Sequence, residues 1–204
     1  MKDTFHAVAS GTRAELSKVR GSRFIGDAFP VAVEDEAFSR LVEVQQREPA
    51  ATHHCWAWRI GPAGERFRSS DDGEPSGTAG APILRQIEGR GLTNTLVVVT
   101  RYYGGTRLGT GGLLRAYGDA AAAVLDAATL VEHVDRLALR LAFAYDDTAA
   151  TMQTLHRFDT ELTEQQYTDE TQLVVRVRRS QSEELLAAFT EALGGRGRAT
   201  VEAE

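Results

Sequence analysis

A single cysteine, Cys55, stands in the 204 residues, so no internal disulfide can form. Such sparing use of thiols suits a reducing compartment. No apolar run approaches the ~20 residues that a membrane helix needs. The opening MKDTFHAVAS is polar and mixed in charge, unlike a signal or transit peptide. A cytoplasmic protein with no membrane partner is expected. Cys-x-x-Cys and His-x-x-x-His spacings are also absent, which removes the usual zinc frameworks. No metal and no cofactor are expected. Lysine is almost missing: of 23 basic residues only Lys2 and Lys18 are lysines. This bias fits genome composition as readily as selection for bidentate anion contacts.

The net charge of −6 is unevenly placed. Residues 1–130 hold 15 Lys+Arg against 15 Asp+Glu, whereas residues 131–204 hold 8 against 14. An acidic chain of this kind binds nucleic acid only through a local basic patch.

Two rhythms follow each other along the chain. AELSKVRGSRFIGDAFPVAV reads as two strands turning near Gly21, and EDEAFSRLVEVQQRE as a helix with an acidic first turn. In that helix Phe38, Leu41, Val42 and Gln45 are expected on one face. ATHHCWAWRIG reads as a strand with ERFRSS as its hairpin mate, and APILRQIEGRG as a short helix closed by Gly89 or Gly91. NTLVVVTRYY is an apolar strand covered on both faces. Leu113, Leu114, Tyr117, Ala121, Val124, Leu125 and Ala128 then repeat at helical spacing.

Beyond residue 130, DRLALRLAFAY alternates like a half-buried strand. DDTAATMQTLHRF is a helix capped near Asp146 or Asp147. TELTEQQYT and ETQLVVRVRRS are strands, SEELLAAFTEALGG is a helix, and RATVEAE a closing edge strand. The expected class is α+β, with a first domain over 1–130 and a βαββαβ, ferredoxin-like domain over 131–204.

Chemistry concentrates in two loops. In VTRYYGGTRLGTGGLLRAYG a buried strand runs through glycines into a helix, leaving free N–H groups at the positive end of a helix dipole. An anion or phosphate fits there, held by Arg101, Tyr102, Gly104, Gly105, Thr106, Arg107, Gly109, Thr110 and Arg115. Thr110 is the expected helix cap. The loop matches neither nucleotide template: Thr110 stands where Walker A needs lysine, and Leu114 where the dinucleotide fingerprint needs glycine. The same glycines also suit tight turns and close helix–strand packing, so spacing leaves both readings open.

The second loop, SSDDGEPSGTAGAPIL, crowds Asp71, Asp72 and Glu74 beside Ser76 and Thr78. These carboxylates read as a Mg²⁺ or acid/base site, or as a turn with Ser76 or Thr78 capping the next helix; turn chemistry accounts for most of the residue types. In THHCW a strand places His53 and Cys55 on one face and His54 on the other, so the three cannot ligate one metal. One histidine is expected to line a pocket, with Cys55, Trp56 and Trp58 in the core.

Taken together, GSRFIG, ATHHCWAW, DDGEPSGTAGAPIL and VVVTRYYGGTRLGTGGLLRAYGDAA resemble the motifs of the IMPACT family over about residues 18–125. The family strings fall on His53, on 71–78, and on Arg101, Tyr102, Gly104, Gly105, Leu108 and Gly109. The resemblance implies a first domain with the β-α-β fold shared by a small-subunit ribosomal protein and elongation factor G. The second domain would resemble the last, ferredoxin-like domain of that factor. Eukaryotic members regulate translation during amino-acid starvation, and no catalytic residue carries over.

The expected function is therefore a non-catalytic, translation-associated regulator binding RNA or the ribosome through the glycine/arginine loop. Its site is a composite surface in which the two loops meet, with Tyr102 or Tyr103 stacking on a base and the acidic loop fixing arginine by ion pairing. An enzyme acting on a phosphorylated small molecule, using Asp72, Glu74 or His53, is one alternative. The other is a protein-binding regulator whose acidic second domain meets a basic partner.

Overall fold

The computed structural model describes residues 3–202. They divide into two compact units: Phe5–His133, and Val134 onward together with Asp3 and Thr4. The division falls after residue 133. Asp3 joins the second unit because Ser180 donates its backbone N–H to the Asp3 carboxylate at 2.9 Å. Among the described residues no helix is long and apolar enough to cross a membrane.

Up to that division the chain forms β1 (Thr4–Val8), β2 (Thr12–Val19), β3 (Ser22–Pro30), α1 (Glu34–Arg47), β4 (His53–Ile60), β5 (Arg66–Ser70), α2 (Gly80–Gly89), β6 (Thr95–Tyr102), α3 (Gly109–Ala127) and β7 (Leu130–Val134). Five strands make an antiparallel sheet in the order β2-β3-β6-β4-β5, while β1 and β7 form a separate pair. Neither strand of that pair was expected from sequence. Strand pleating sorts the core. Val97 and Val99 of β6, with Cys55, Ala57 and Phe24, pack toward α2 and α3. Leu96 and Val98, with Trp56, Trp58 and Ile60, pack toward α1. Burial on both faces explains the unbroken apolar run of β6.

One local correction concerns a helix face. The buried stripe of α1 is Ala37, Leu41 and Val44, not Leu41 with Val42 and Gln45; Val42 is 47% exposed. Phe38 instead meets Trp56 edge-on, ring centroids 5.8 Å apart. On the other sheet face α3 rests directly on β3. A Cβ at Gly26 would stand 2.9 Å from the Ala120 carbonyl and Val124 Cβ, so a side chain there would lift the helix away.

The second unit runs β8 (Arg136–Phe143), α4 (Thr148–Leu155), β9 (Thr160–Tyr167), β10 (Thr171–Arg178), α5 (Ser182–Ala192) and β11 (Arg198–Val201). Its antiparallel sheet has the order β11-β8-β10-β9. Leu139, Leu141 and Phe143 alternate inward from β8 onto Leu155, Leu185 and Phe189. Asp147 stands at the N-cap position of α4 but makes no cap bond; its carboxylate pairs with Arg196 at 2.8 Å. The expected closing strand ends at Val201, and residues 203 and 204 lie outside the described residues.

Candidate functional site

Strands β4 and β6 lie side by side with His53 opposite Arg101. Both residues share the face that carries Cys55 and Val99, so they form the polar end of an otherwise apolar surface. The acidic loop closes over this end. Glu74 Oε1 accepts from Arg101 Nη1 at 2.5 Å and from the Tyr117 hydroxyl of α3 at 2.7 Å. The Glu74 and Arg101 side chains are each 5% exposed. Arg101 Nη2 also donates to Ser22 Oγ at 3.3 Å, and the guanidinium lies over the rings of Phe24 (5.4 Å) and Tyr103 (5.5 Å). The expectation that Arg101 itself holds an external anion is therefore corrected: its charge is neutralised inside the protein. The acidic loop fixes this arginine by an ion pair, and the two loops meet.

His53 is set by the same loop. Its Nδ1 lies 2.7 Å from the Asp72 carbonyl oxygen, an acceptor, so Nδ1 carries the hydrogen. The other ring nitrogen, Nε2, lies 3.8 Å from Glu74 Oε1. Two neighbours are chemically quiet. Burial pushes the Cys55 thiol well up, and its Sγ donates to the Asp71 carbonyl at 3.0 Å. Burial, reinforced by Cys55 and Glu74, likewise raises the Tyr117 phenol, which stays a donor.

The remaining acids of the loop face backbone rather than a cavity. Asp71 accepts from the N–H groups of Gly77 (2.7 Å), Ala79 (2.9 Å) and Gly80 (2.8 Å). Burial works to raise its carboxyl, but the three amide bonds outweigh it and hold the group below its ordinary value. Asp71 therefore caps α2 from upstream, in place of the expected Ser76 or Thr78. Ser76 is exposed, and Thr78 Oγ1 donates to the Pro75 carbonyl at 2.6 Å. Asp72 accepts from the His54 N–H at 2.5 Å. Among the described residues no three or more His, Cys, Asp or Glu side chains gather as a metal site.

Between the loops opens a cleft of about 660 Å³. Its polar lining is His53, Glu74, Arg101, Tyr103, Arg107 and Thr110, and Pro75, Leu108 and Leu113 supply apolar wall. Gly109 and Thr110 open α3 here with no side-chain cap and no acid in the first turn. Thr110 is inside the helix and Leu108 holds the cap position, which corrects the expected capping role of Thr110. Arg107 is exposed and, among the described residues, makes no ion pair.

Other expected site residues lie elsewhere. Tyr102 points to the opposite sheet face and donates to Glu48 at 2.6 Å; Tyr103 takes its place at the cleft. Gly105 and Thr106 are exposed in the loop, outside the cleft wall. Gly104 is a packing residue: its N–H donates to Ser22 Oγ at 3.1 Å, and a methyl there would overlap the Gly21 backbone. Arg115 lines a separate hollow of about 290 Å³ with Arg20 and Gly112. Sequence reasoning missed Ser22, Phe24 and the bond from Tyr117 to Glu74; Tyr117 had announced itself only as one more apolar position of α3.

The first unit is thus an α+β module with a polar cleft at one end of an antiparallel sheet. Residues 20–125 match the family model described as the Impact N-terminal domain, and the chain belongs to that family. A curated family member from Thermus thermophilus is 46% identical over 127 residues, covering 61% of this chain and 68% of its own. One from Haemophilus influenzae is 34% identical over 184 residues, 88% of each chain. A solved crystal structure of a hypothetical protein is 29% identical, covers both chains fully and superposes with a TM-score of 0.73.

Proposed function

We propose that this chain is a non-catalytic, translation-associated factor of the cytoplasm that binds RNA, alone or in the ribosome, through the start of α3 and the loop before it. Arg107 carries the reading: an exposed guanidinium without an internal partner among the described residues, beside a helix start whose amides are uncapped. Free N–H groups and the positive end of a helix dipole favour phosphate. Arginine forks match its oxygens. Gly109, Gly111 and Gly112 leave the backbone bare for close approach. Arg115 and Arg20 border the neighbouring hollow, together with Asp119.

On the same reading the first unit takes the β-α-β fold shared with a ribosomal protein and elongation factor G. The second takes the ferredoxin-like fold, which its βαββαβ order and outer-to-inner strand sequence support. A protein-docking role for the acidic second unit has less support. Asp135, Asp147, Asp159, Glu164, Glu170 and Glu202 each face an arginine of their own unit at 3.8 Å or less.

The test is the salt dependence of binding to single-stranded RNA. Each lost phosphate contact should flatten the log–log slope by roughly 0.7–0.9. Arg107→Ala and Arg115→Ala are expected to do so singly and more together. Slopes equal to wild type would remove the loop from the binding surface, and ribosome co-sedimentation that survives high salt would argue against an electrostatic contact.

A further inference from the structure

We infer that the cleft takes one unstacked nucleoside phosphate unit, not merely a stretch of phosphate backbone. The inference rests on the RNA reading of the same loop and names what that loop recognises. Four observations carry it. The volume, about 660 Å³, falls within the ~300–1,000 Å³ of small-ligand sites. Its walls differ in chemistry from end to end. Arg107 and Thr110 sit where the helix amides emerge and suit a phosphate. Tyr103 is 48% exposed, borders the cleft, and is backed by the Arg101 guanidinium at 5.5 Å, a stiff platform for a base. His53, its Nδ1 held by the Asp72 carbonyl, lines the cleft and brings a polar ring within reach of a sugar hydroxyl.

The buried Arg101–Glu74 pair gains a role in this arrangement. Arg101 does not contact the phosphate through a free charge; it holds Tyr103 and closes the floor of the cleft. Its Nε is buried and has no hydrogen-bond partner within the protein.

Two sources could supply the ligand: a free nucleotide, or a terminal or flipped residue of an RNA strand. Calorimetric titration with the four ribonucleoside 5′-monophosphates, ribose 5-phosphate and inorganic phosphate, followed by competition against a short single-stranded RNA, separates them. Saturable binding of a monophosphate that displaces RNA is expected, with ribose 5-phosphate weaker by roughly tenfold, the worth of one stacked base. Tyr103→Ala should bring the nucleotide down to the ribose 5-phosphate level, and Tyr103→Phe should restore it. Equal binding of inorganic phosphate and nucleotide would overturn the nucleoside part. RNA that binds with its salt slope intact while no monophosphate competes would overturn the inference and leave the RNA reading standing. Nucleotide bound without any affinity for RNA would support the cleft and sink the RNA reading.

Discussion

The two loops that border the cleft are both rich in glycine and small polar residues, yet they are built for opposite purposes. From 71 to 80 nearly every polar group is used internally. Asp71 gathers three amides, Asp72 takes the His54 N–H, and Glu74 binds Arg101 and Tyr117. From 105 to 111 the reverse holds: Gly105, Thr106, Arg107 and Thr110 are exposed, and the helix start has no cap. One loop is scaffold and the other is open to solvent. Charge alone does not distinguish them, because the arginine nearest the centre, Arg101, belongs to the scaffold.

Substitutions can break or sharpen that contrast. The largest effect belongs to Glu74→Ala, which strands a buried guanidinium. A loss of about 3–5 kcal/mol is expected in urea denaturation, and a loss near zero would mean that the pair is not buried as described. Gly104→Ala should follow at about 1–3 kcal/mol, since its methyl meets the Gly21 backbone, where nothing flexible can yield. A neutral result would show the loop to be looser than drawn.

Asp71→Ala removes the cap of α2, for about 1–2 kcal/mol. Asp71 also has a pH signature. Its carboxyl is held below the ordinary value in the folded chain, so the unfolded chain takes up the proton first. The stabilisation is complete above that ordinary value and is lost as pH falls below about 4. The gap between wild type and Asp71→Asn should close over that range, and a gap that widened on acidification would contradict the amide cradle. At the small end, Gly111→Ala adds a methyl into open space within α3. It should stabilise the fold by about 0.5–1 kcal/mol while weakening RNA. A gain in stability with unchanged affinity would show that the bare backbone has no part in binding.

Much of this architecture was legible in the sequence. Period-2 alternation in β8 and the apolar run of β6 announced their strands, and the pleat separated His53 from His54. The pair β1 and β7 escaped because the exposed LVEHV of β7 shows no alternation for a core to impose. In the site, the residue types were visible but their partners were not. That Glu74 would reach Arg101 depends on β4 lying beside β6, a pairing made by residues far apart in sequence. Tyr102 and Tyr103 look interchangeable in RYYGG, and only the register of β6 decides that the first turns toward Glu48.

The contact of Gly21 with Gly104 has a mechanical consequence. Two backbones that touch with no side chain between them cannot shift independently, so the β2–β3 hairpin turn is coupled to the base of the open loop. Occupation of the cleft should therefore register as slowed amide exchange at Gly21 and Ser22, a remote reporter that reads the ligand without touching it.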